Sequence, residues 1–203
     1  MALQAQRSES ASRTAHEILD KAIPLFARAG YSGVSMRNIA GAVGITQAAL
    51  YHHYPDKENL YLAAMAHAFA DKAAGITAAL QSDGTAMERF ERFIVSFTQL
   101  MASDPDFRAL LQRELLDGDE TRLELLAEQV FVEPFRAMTG LARDLAPDCD
   151  PHLLAISMAG LVLFHFETAP IRRFLPGGAK RHNDPKVVAK HVLRLLGGAL
   201  RTT

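Results

Sequence analysis

Between residues 34 and 60 the chain reads VSMRNIAGAVGITQAALYHHYPDKENL, and three helix starts are spelled out in that run. Ser35 is an N-cap candidate with Val34 before it and Ile39 four positions inside. Thr46 repeats the arrangement with Ile45 and Leu50, and Asp56 repeats it with Pro55 and Leu60. A cap oxygen accepts from an otherwise unpaired amide of the first turn, and the flanking apolar pair fixes the angle at which the chain enters the helix. The spacing predicts two short helices, over 36–43 and 47–53, separated by a tight turn at Gly44. A long helix then starts near Lys57 and runs to about Gln81.

A helix of seven residues is unstable alone. Two of them joined by a glycine turn make sense as a helix-turn-helix, the second helix lying in a DNA major groove. Ala40, Gly41, Ala42 and Gly44 are small enough for close crossing, and Ile39, Val43, Ile45 and Leu50 supply a shared core. The second helix then shows Gln47, Ala48, Tyr51 and His52 outward. An amide reads adenine, a small residue permits close approach, and hydroxyl or imidazole groups donate to phosphates. Thr46 caps this helix. Ser35 and Arg37 open the first short helix, and Lys57 opens the long one. Helix N-termini favour anions, so all three are candidates for phosphate contact. His52 and His53 read poorly as metal ligands. Neighbouring side chains point about 100° apart on a helix, no histidine partner lies three or four residues away, and no cysteine is near. No metal and no cofactor are expected.

Elsewhere the apolar period is 3.6 and almost never 2, so the fold class is all-α with about nine helices. Residues 1–12 are polar and read as a disordered tail. A helix over 14–29 follows, with Ile18, Ala22, Leu25 and Phe26 on one stripe and Pro24 a candidate kink. Later stripes are Phe90, Phe93, Ile94, Phe97 and Met101, then Phe107 to Leu115, then Leu123 to Leu145. A helix over 151–168 is apolar around its whole circumference and reads as buried on nearly every side. The loop FLPGGAKRHNDP separates it from a last helix carrying Val188, Val192 and Leu195.

The chain of 203 residues is 49% hydrophobic and 22% charged, a soluble globular balance. Its net charge is −1, but the charge is uneven. Residues 81–150 carry seven Lys or Arg against fifteen Asp or Glu, and residues 151–203 carry eight against two. Both blocks read as solvated surface. The single cysteine, Cys149, excludes an internal disulfide and suits the cytoplasm. The longest apolar run, Leu153–Phe166, is too short to span a membrane, and no secretion signal is read. No phosphate loop, Cys/His cluster or triad marks an enzyme.

The run from Val34 to Leu60 resembles the DNA-binding signature of the tetracycline-repressor (TetR) family of bacterial regulators. The matching positions are Ser35, Ile39, Ala40, Gly44, Ile45, Thr46, Leu50, Tyr51, His53, Tyr54, Lys57, Glu58 and Leu60. Val43 stands where alanine is usual, and Tyr54 where phenylalanine is usual. The resemblance implies a helix-turn-helix domain over 13–56, with Tyr51 and His52 at the DNA backbone and His53 and Tyr54 packed inward. It also implies a ligand-binding and dimerisation domain over 57–203, whose last two helices pair with a second copy. A homodimer implies a palindromic double-stranded operator. It further implies a small effector, which the aromatic and Met content makes hydrophobic. Met65, Phe69, Phe97, Met101, Phe107, Phe131, Phe135, Met138 and Phe164 are the candidate lining, with His165 and Glu114 as polar anchors; the same residues serve equally as core. The alternatives are an all-α enzyme, or a regulator-like protein acting only through protein partners.

Overall fold

A computed structural model describes the backbone of residues 2–199 and the side chains of residues 13–70 and 72–198. Every regular element within them is helical: α1 (Ala2–Ala29), α2 (Met36–Val43), α3 (Gln47–His53), α4 (Lys57–Gln81), α5 (Ala86–Ser103), α6 (Pro105–Asp117), α7 (Glu120–Leu126), α8 (Val132–Leu145), α9 (Pro151–Glu167), α10 (Ala169–Arg172) and α11 (Pro185–Ala199). The chain divides into two compact units. The first takes in residues up to Ala70 together with Asp106–Gln129; the second holds Asp71–Pro105 and everything from Val130 onward. The division falls inside α4.

In the first unit α1 packs on α2 and α2 on α3. Ile18, Ala22 and Phe26 of α1 are fully or nearly fully buried, as are Ile39, Ala40 and Leu50 of the short helices and Leu60, Tyr61 and Met65 of α4. Helix α1 starts at Ala2, not near Thr14, so the stretch read as a tail is helical backbone over residues 2–12. It also continues through Pro24. Proline deletes one amide from the ladder, and Arg28 Nε donates to the Pro24 carbonyl at 2.9 Å one turn on.

In the second unit α5 is the central element, packed on α8, α9 and α11. Its capping box opens with Thr85: the Thr85 amide donates to Glu88 Oε2 at 2.8 Å and Thr85 Oγ1 accepts from the Glu88 amide at 3.3 Å. Phe90, Phe93, Ile94 and Met101 of α5 are buried, as are Met158, Val162 and Phe166 of α9 and Val188 and Val192 of α11.

Three expectations need correction. The stripe from Leu123 to Leu145 is not one regular helix, because residues Ala127–Phe131 form a π-helical turn between α7 and α8. Pro134 has no amide to give to the carbonyl four residues back, and its ring crowds that carbonyl, so the ladder widens just upstream. The loop after α9 contains the short α10 and a 3₁₀ turn at Lys180–Asn183. Finally, α9 is not buried on all sides. Ala155, Met158, Val162 and Phe166 are buried, but Leu153, Ile156 and Phe164 stand exposed with Gly160 between them. Those positions step by three, four and four, so they form one unpartnered apolar stripe.

Candidate nucleic-acid interface

The α2–α3 segment is assembled by its caps. Ser35 sits in extended backbone, with φ −112° and ψ 156°. Its hydroxyl accepts from the Asn38 amide at 3.2 Å, and its own amide donates to Asn38 Oδ1 at 3.0 Å. At the other end of α2, Gly44 adopts φ +83°, a left-handed conformation that an L side chain rarely takes. The amides of Gly44 and Ile45 both donate to the Ala40 carbonyl, at 2.9 and 3.0 Å, which turns the chain sharply into α3. Thr46 Oγ1 then accepts from the Ala49 amide at 3.2 Å. Asp56 caps α4 the same way, accepting from the Asn59 amide at 2.8 Å and from its side-chain amide. These bonds, backbone first, hold the Asp56 carboxyl below its usual range.

Seven residues make up α3, and among them only Leu50 is buried. Gln47, Ala48, Tyr51 and His52 all point to solvent, Tyr51 with 48% of its surface free. His53 and Tyr54 are half-buried, and Tyr54 Oη reaches the Ala15 carbonyl of α1 at 3.5 Å. Burial raises the Tyr54 pKa, so it remains a neutral packing group. Ser35, Arg37 and Thr46 are exposed along the same run. The outward surface of α3 is thus polar, flat around Ala48 and without a carboxylate, which is the chemistry of a groove-reading helix.

Lys57 behaves differently from its neighbours. Its ammonium donates to the carbonyls of Tyr31 and Val34, at 3.0 and 3.2 Å, and lies 4.1 Å from the Tyr31 ring centroid. The cation is used to tie the start of α4 to the loop ahead of α2. Tyr31 also receives the Arg122 guanidinium, 4.4 Å from its centroid. Arg122 Nε donates to Glu114 Oε1 at 3.0 Å, and Tyr61 Oη donates to Glu114 Oε2 at 2.6 Å. The Glu114 side chain, only 1% exposed, therefore has both oxygens occupied inside the first unit. Burial, then the bond to Glu114 and its charge, raises the Tyr61 pKa far above the ordinary phenol value. Burial alone would lower that of Arg122, but Glu114 and Asp119 more than offset it. Sequence reading missed Tyr31, Tyr61 and Arg122. A glutamate on an apolar helix face was the visible sign, because a buried carboxylate needs a partner.

The residues expected to line a ligand pocket divide between the units. Met65, Phe69 and Phe107 are buried in the first, with the rings of Phe69 and Phe107 4.2 Å apart. Met101 and Met138 are buried in the second, and Phe97, Phe131 and Phe135 are half-buried. Phe97 stacks on Phe93, and Phe135 meets His152 edge-on. Phe164 is 69% exposed. His165 lines an open cavity of about 970 Å³, bordered by the end of α9, α10, the 3₁₀ turn and α11. No helix among the described residues is long and apolar enough to cross a membrane.

Residues 18–64 match the family model for bacterial regulatory proteins of the tetR family. The HTH-type transcriptional repressor AcnR of Corynebacterium diphtheriae is 33% identical over 101 residues, 45% of this chain and 52% of that protein. The biofilm operon icaADBC HTH-type negative transcriptional regulator IcaR of Staphylococcus epidermidis is 40% identical over 53 residues, 26% of this chain and 29% of that one. The chain thus spans about half, or less, of the curated relatives it matches. Among solved structures, AibR in complex with isovaleryl coenzyme A and operator DNA aligns with TM-score 0.69 and 23% identity, over 90% of this chain and 97% of its own. FadR of Bacillus subtilis in complex with stearoyl-CoA aligns with TM-score 0.73 and 18% identity, over 89% and 96%. At those identities the likeness concerns the fold, while the sequence match falls on the helices that carry Ser35 to Lys57. Residues 18–64 thus carry the segment that defines the tetR family of bacterial regulatory proteins, and the chain as a whole is similar to its members in fold.

Proposed function

We propose that this protein is a ligand-responsive transcriptional repressor that binds a palindromic operator as a homodimer. The observation that carries the reading is the outward face of α3, where Gln47, Ala48, Tyr51 and His52 are exposed while Leu50 anchors the helix from behind. Gln47 is the candidate for adenine, and Tyr51, His52 and Arg37 are candidates for phosphate oxygens. The N-terminal domain over 13–56 would do the reading, and the remainder from 57 onward would pair and bind effector.

Pairing is supported by the apolar stripe on α9. Leu153, Ile156 and Phe164 have no partner in the single chain, and Gly160 in their midst lets another helix approach. A second copy of α9 is complementary to it by two-fold symmetry. Two α3 helices then meet half-sites about one helical turn apart, or a multiple of that.

The effector is read as a small molecule with an apolar portion. The Phe and Met content supports this, and so do the acyl-coenzyme A ligands named for AibR and FadR. Such a ligand relieves repression only through a difference in its affinity for two conformers. Helix α4, common to both units, is the element able to carry that difference to the reading head.

Fluorescence anisotropy with an operator duplex tests the reading. Tyr51→Ala and Gln47→Ala are expected to weaken binding by about 1–3 kcal/mol each, and Arg37→Ala to lower the salt slope by about one per subunit. Unchanged affinity in all three variants would overturn it. Phe164→Ser should halve the mass in light scattering; a dimer that survives it removes α9 from the interface.

A further inference from the structure

The segment that presents α3 carries little of the charge that a nucleic-acid contact draws on. Residues 34–58 hold two permanent cations, Arg37 and Lys57, against two acids, Asp56 and Glu58, so their net charge is zero. Lys57 is already engaged, because the Tyr31 and Val34 carbonyls and the Tyr31 ring take its ammonium. Arg37, exposed on α2, is then the one permanent cation of this segment left for a phosphate. Duplex DNA carries one negative charge about every 1.7 Å, and affinity grows with the number of phosphates a protein neutralises. One guanidinium per chain is a small supply.

His52 can add to it. The residue is exposed in the last turn of α3, next to Tyr51. Its ring meets that of His53 edge-on, with centroids 6.0 Å apart, and among the described residues no carboxylate pairs with it. The adjoining elements bring few charged groups. Helix α2 contributes Arg37, and the start of α4 contributes Asp56, Lys57 and Glu58. Asp56 is occupied by the Asn59 amide at 2.8 Å and by the Asn59 side chain at 3.0 Å. Helix α1 meets the end of α3 where Tyr54 Oη reaches the Ala15 carbonyl, and there His16 lies against His67, with centroids 5.3 Å apart. An imidazole changes its charge between pH 5 and 8, whereas the Gln47 amide and the Tyr51 phenol beside it do not. His53 is half-buried, so the exposed group of α3 that can acquire charge is His52.

We infer that His52 takes a DNA phosphate as its imidazolium, so that operator binding is coupled to proton uptake and strengthens as the pH falls from 8 to 6. The inference rests on α3 reading DNA. Its sign follows from linkage. A phosphate oxygen stabilises the protonated ring, so the complex retains a proton that the unbound protein has released near neutrality. The gain is complete in acid and is lost as the pH rises. Two chains on one palindrome bring two such rings, which doubles the effect in free energy. The neutral glutamine or permanently charged arginine at the same position would remove the pH dependence in opposite ways.

Fluorescence anisotropy of the full chain tests it, with the duplex that the protein enriches from a random pool at pH 6. From pH 8 to pH 6 the affinity of the wild type is expected to rise about tenfold, near threefold for each of the two rings. Calorimetric titration of the same duplex at pH 7, in two buffers of different ionisation enthalpy, should show a net uptake of about one proton per duplex bound. The salt slope should be steeper at pH 6 than at pH 8 by about one per subunit. His52→Gln should keep the wild-type affinity of pH 8 at every pH, and His52→Arg should keep that of pH 6. His53→Gln, by contrast, should leave the pH dependence in place. Affinity that is independent of pH in the wild type would overturn the inference and leave the DNA reading standing, as would a rise that survives His52→Gln or disappears in His53→Gln. A pool that enriches no duplex would overturn both.

Discussion

The α2–α3 pair and the α9–α11 pair each present an outward face, and the two faces are built on opposite principles. The reading head is held by three caps, one left-handed glycine and a few buried apolar side chains. Its outward residues are polar and almost uncharged; α3 contains no lysine or arginine. The α9–α11 face couples an exposed apolar stripe with unpaired cations. Specific contact with bases calls for shape and hydrogen-bond geometry, whereas pairing of helices calls for apolar area. Strong net charge is therefore found away from α3.

The largest expected effect concerns what supports the reading head. Glu114→Ala leaves the Arg122 guanidinium, about 8% exposed, without its buried partner. Breaking one side of such a pair costs about 3–5 kcal/mol. Urea denaturation should show this, and Glu114→Leu/Arg122→Leu should recover much of it. A loss below about 1 kcal/mol would mean that the buried pair does not hold the first unit together. Leu50→Ala comes next. It empties the single buried position of α3 and should cost about 2–5 kcal/mol. The same truncation at exposed Leu153 of α9 should cost the isolated chain almost nothing while weakening dimerisation. Equal costs at both positions would erase the contrast between anchored and unpartnered helices.

Smaller effects sharpen the comparison. Gly44→Ala forces a side chain into left-handed backbone at about 1–2 kcal/mol, and Thr46→Ala removes one cap at about 1 kcal/mol. Both are read as shifts in the denaturation midpoint. On the other face the sign of a pH effect is defined. The folded chain holds the His165 pKa below the ordinary imidazole value near 6.5, so the unfolded chain takes up that proton first as pH falls. Stability should therefore decline as pH drops below about 6.5, and His165→Gln should flatten that part of the decline. An unaltered pH profile would show that burial and the neighbouring His191 and Arg172 do not disfavour the charged His165 ring.

Legibility followed the same divide. The short helices, the turn at Gly44 and the start of α4 were readable because caps and staples are local, and each leaves a signature within four residues. Lys57 shows where locality ends. Its place at a helix start was plain, but the Tyr31 and Val34 carbonyls that take its ammonium lie more than twenty residues away. Glu114 likewise finds Tyr61 53 positions earlier. In α9, uniform apolarity concealed which stripe was inward, since periodicity carries no information when every position is hydrophobic. The basic tail was visible as eight cations against two acids, yet its convergence on one cavity required α10 and the 3₁₀ turn, which the Pro/Gly loop hid.

The central claim is that α3, offered twice by a symmetric pair of chains, reads DNA. Selection of bound duplexes from a random pool tests it most directly. The expected outcome is one enriched palindrome whose half-sites lie about 34–36 Å apart centre to centre, or a multiple of that, with enrichment abolished by Tyr51→Ala combined with Gln47→Ala. A pool that enriches no palindrome, or one enriched equally by that double variant, contradicts the account.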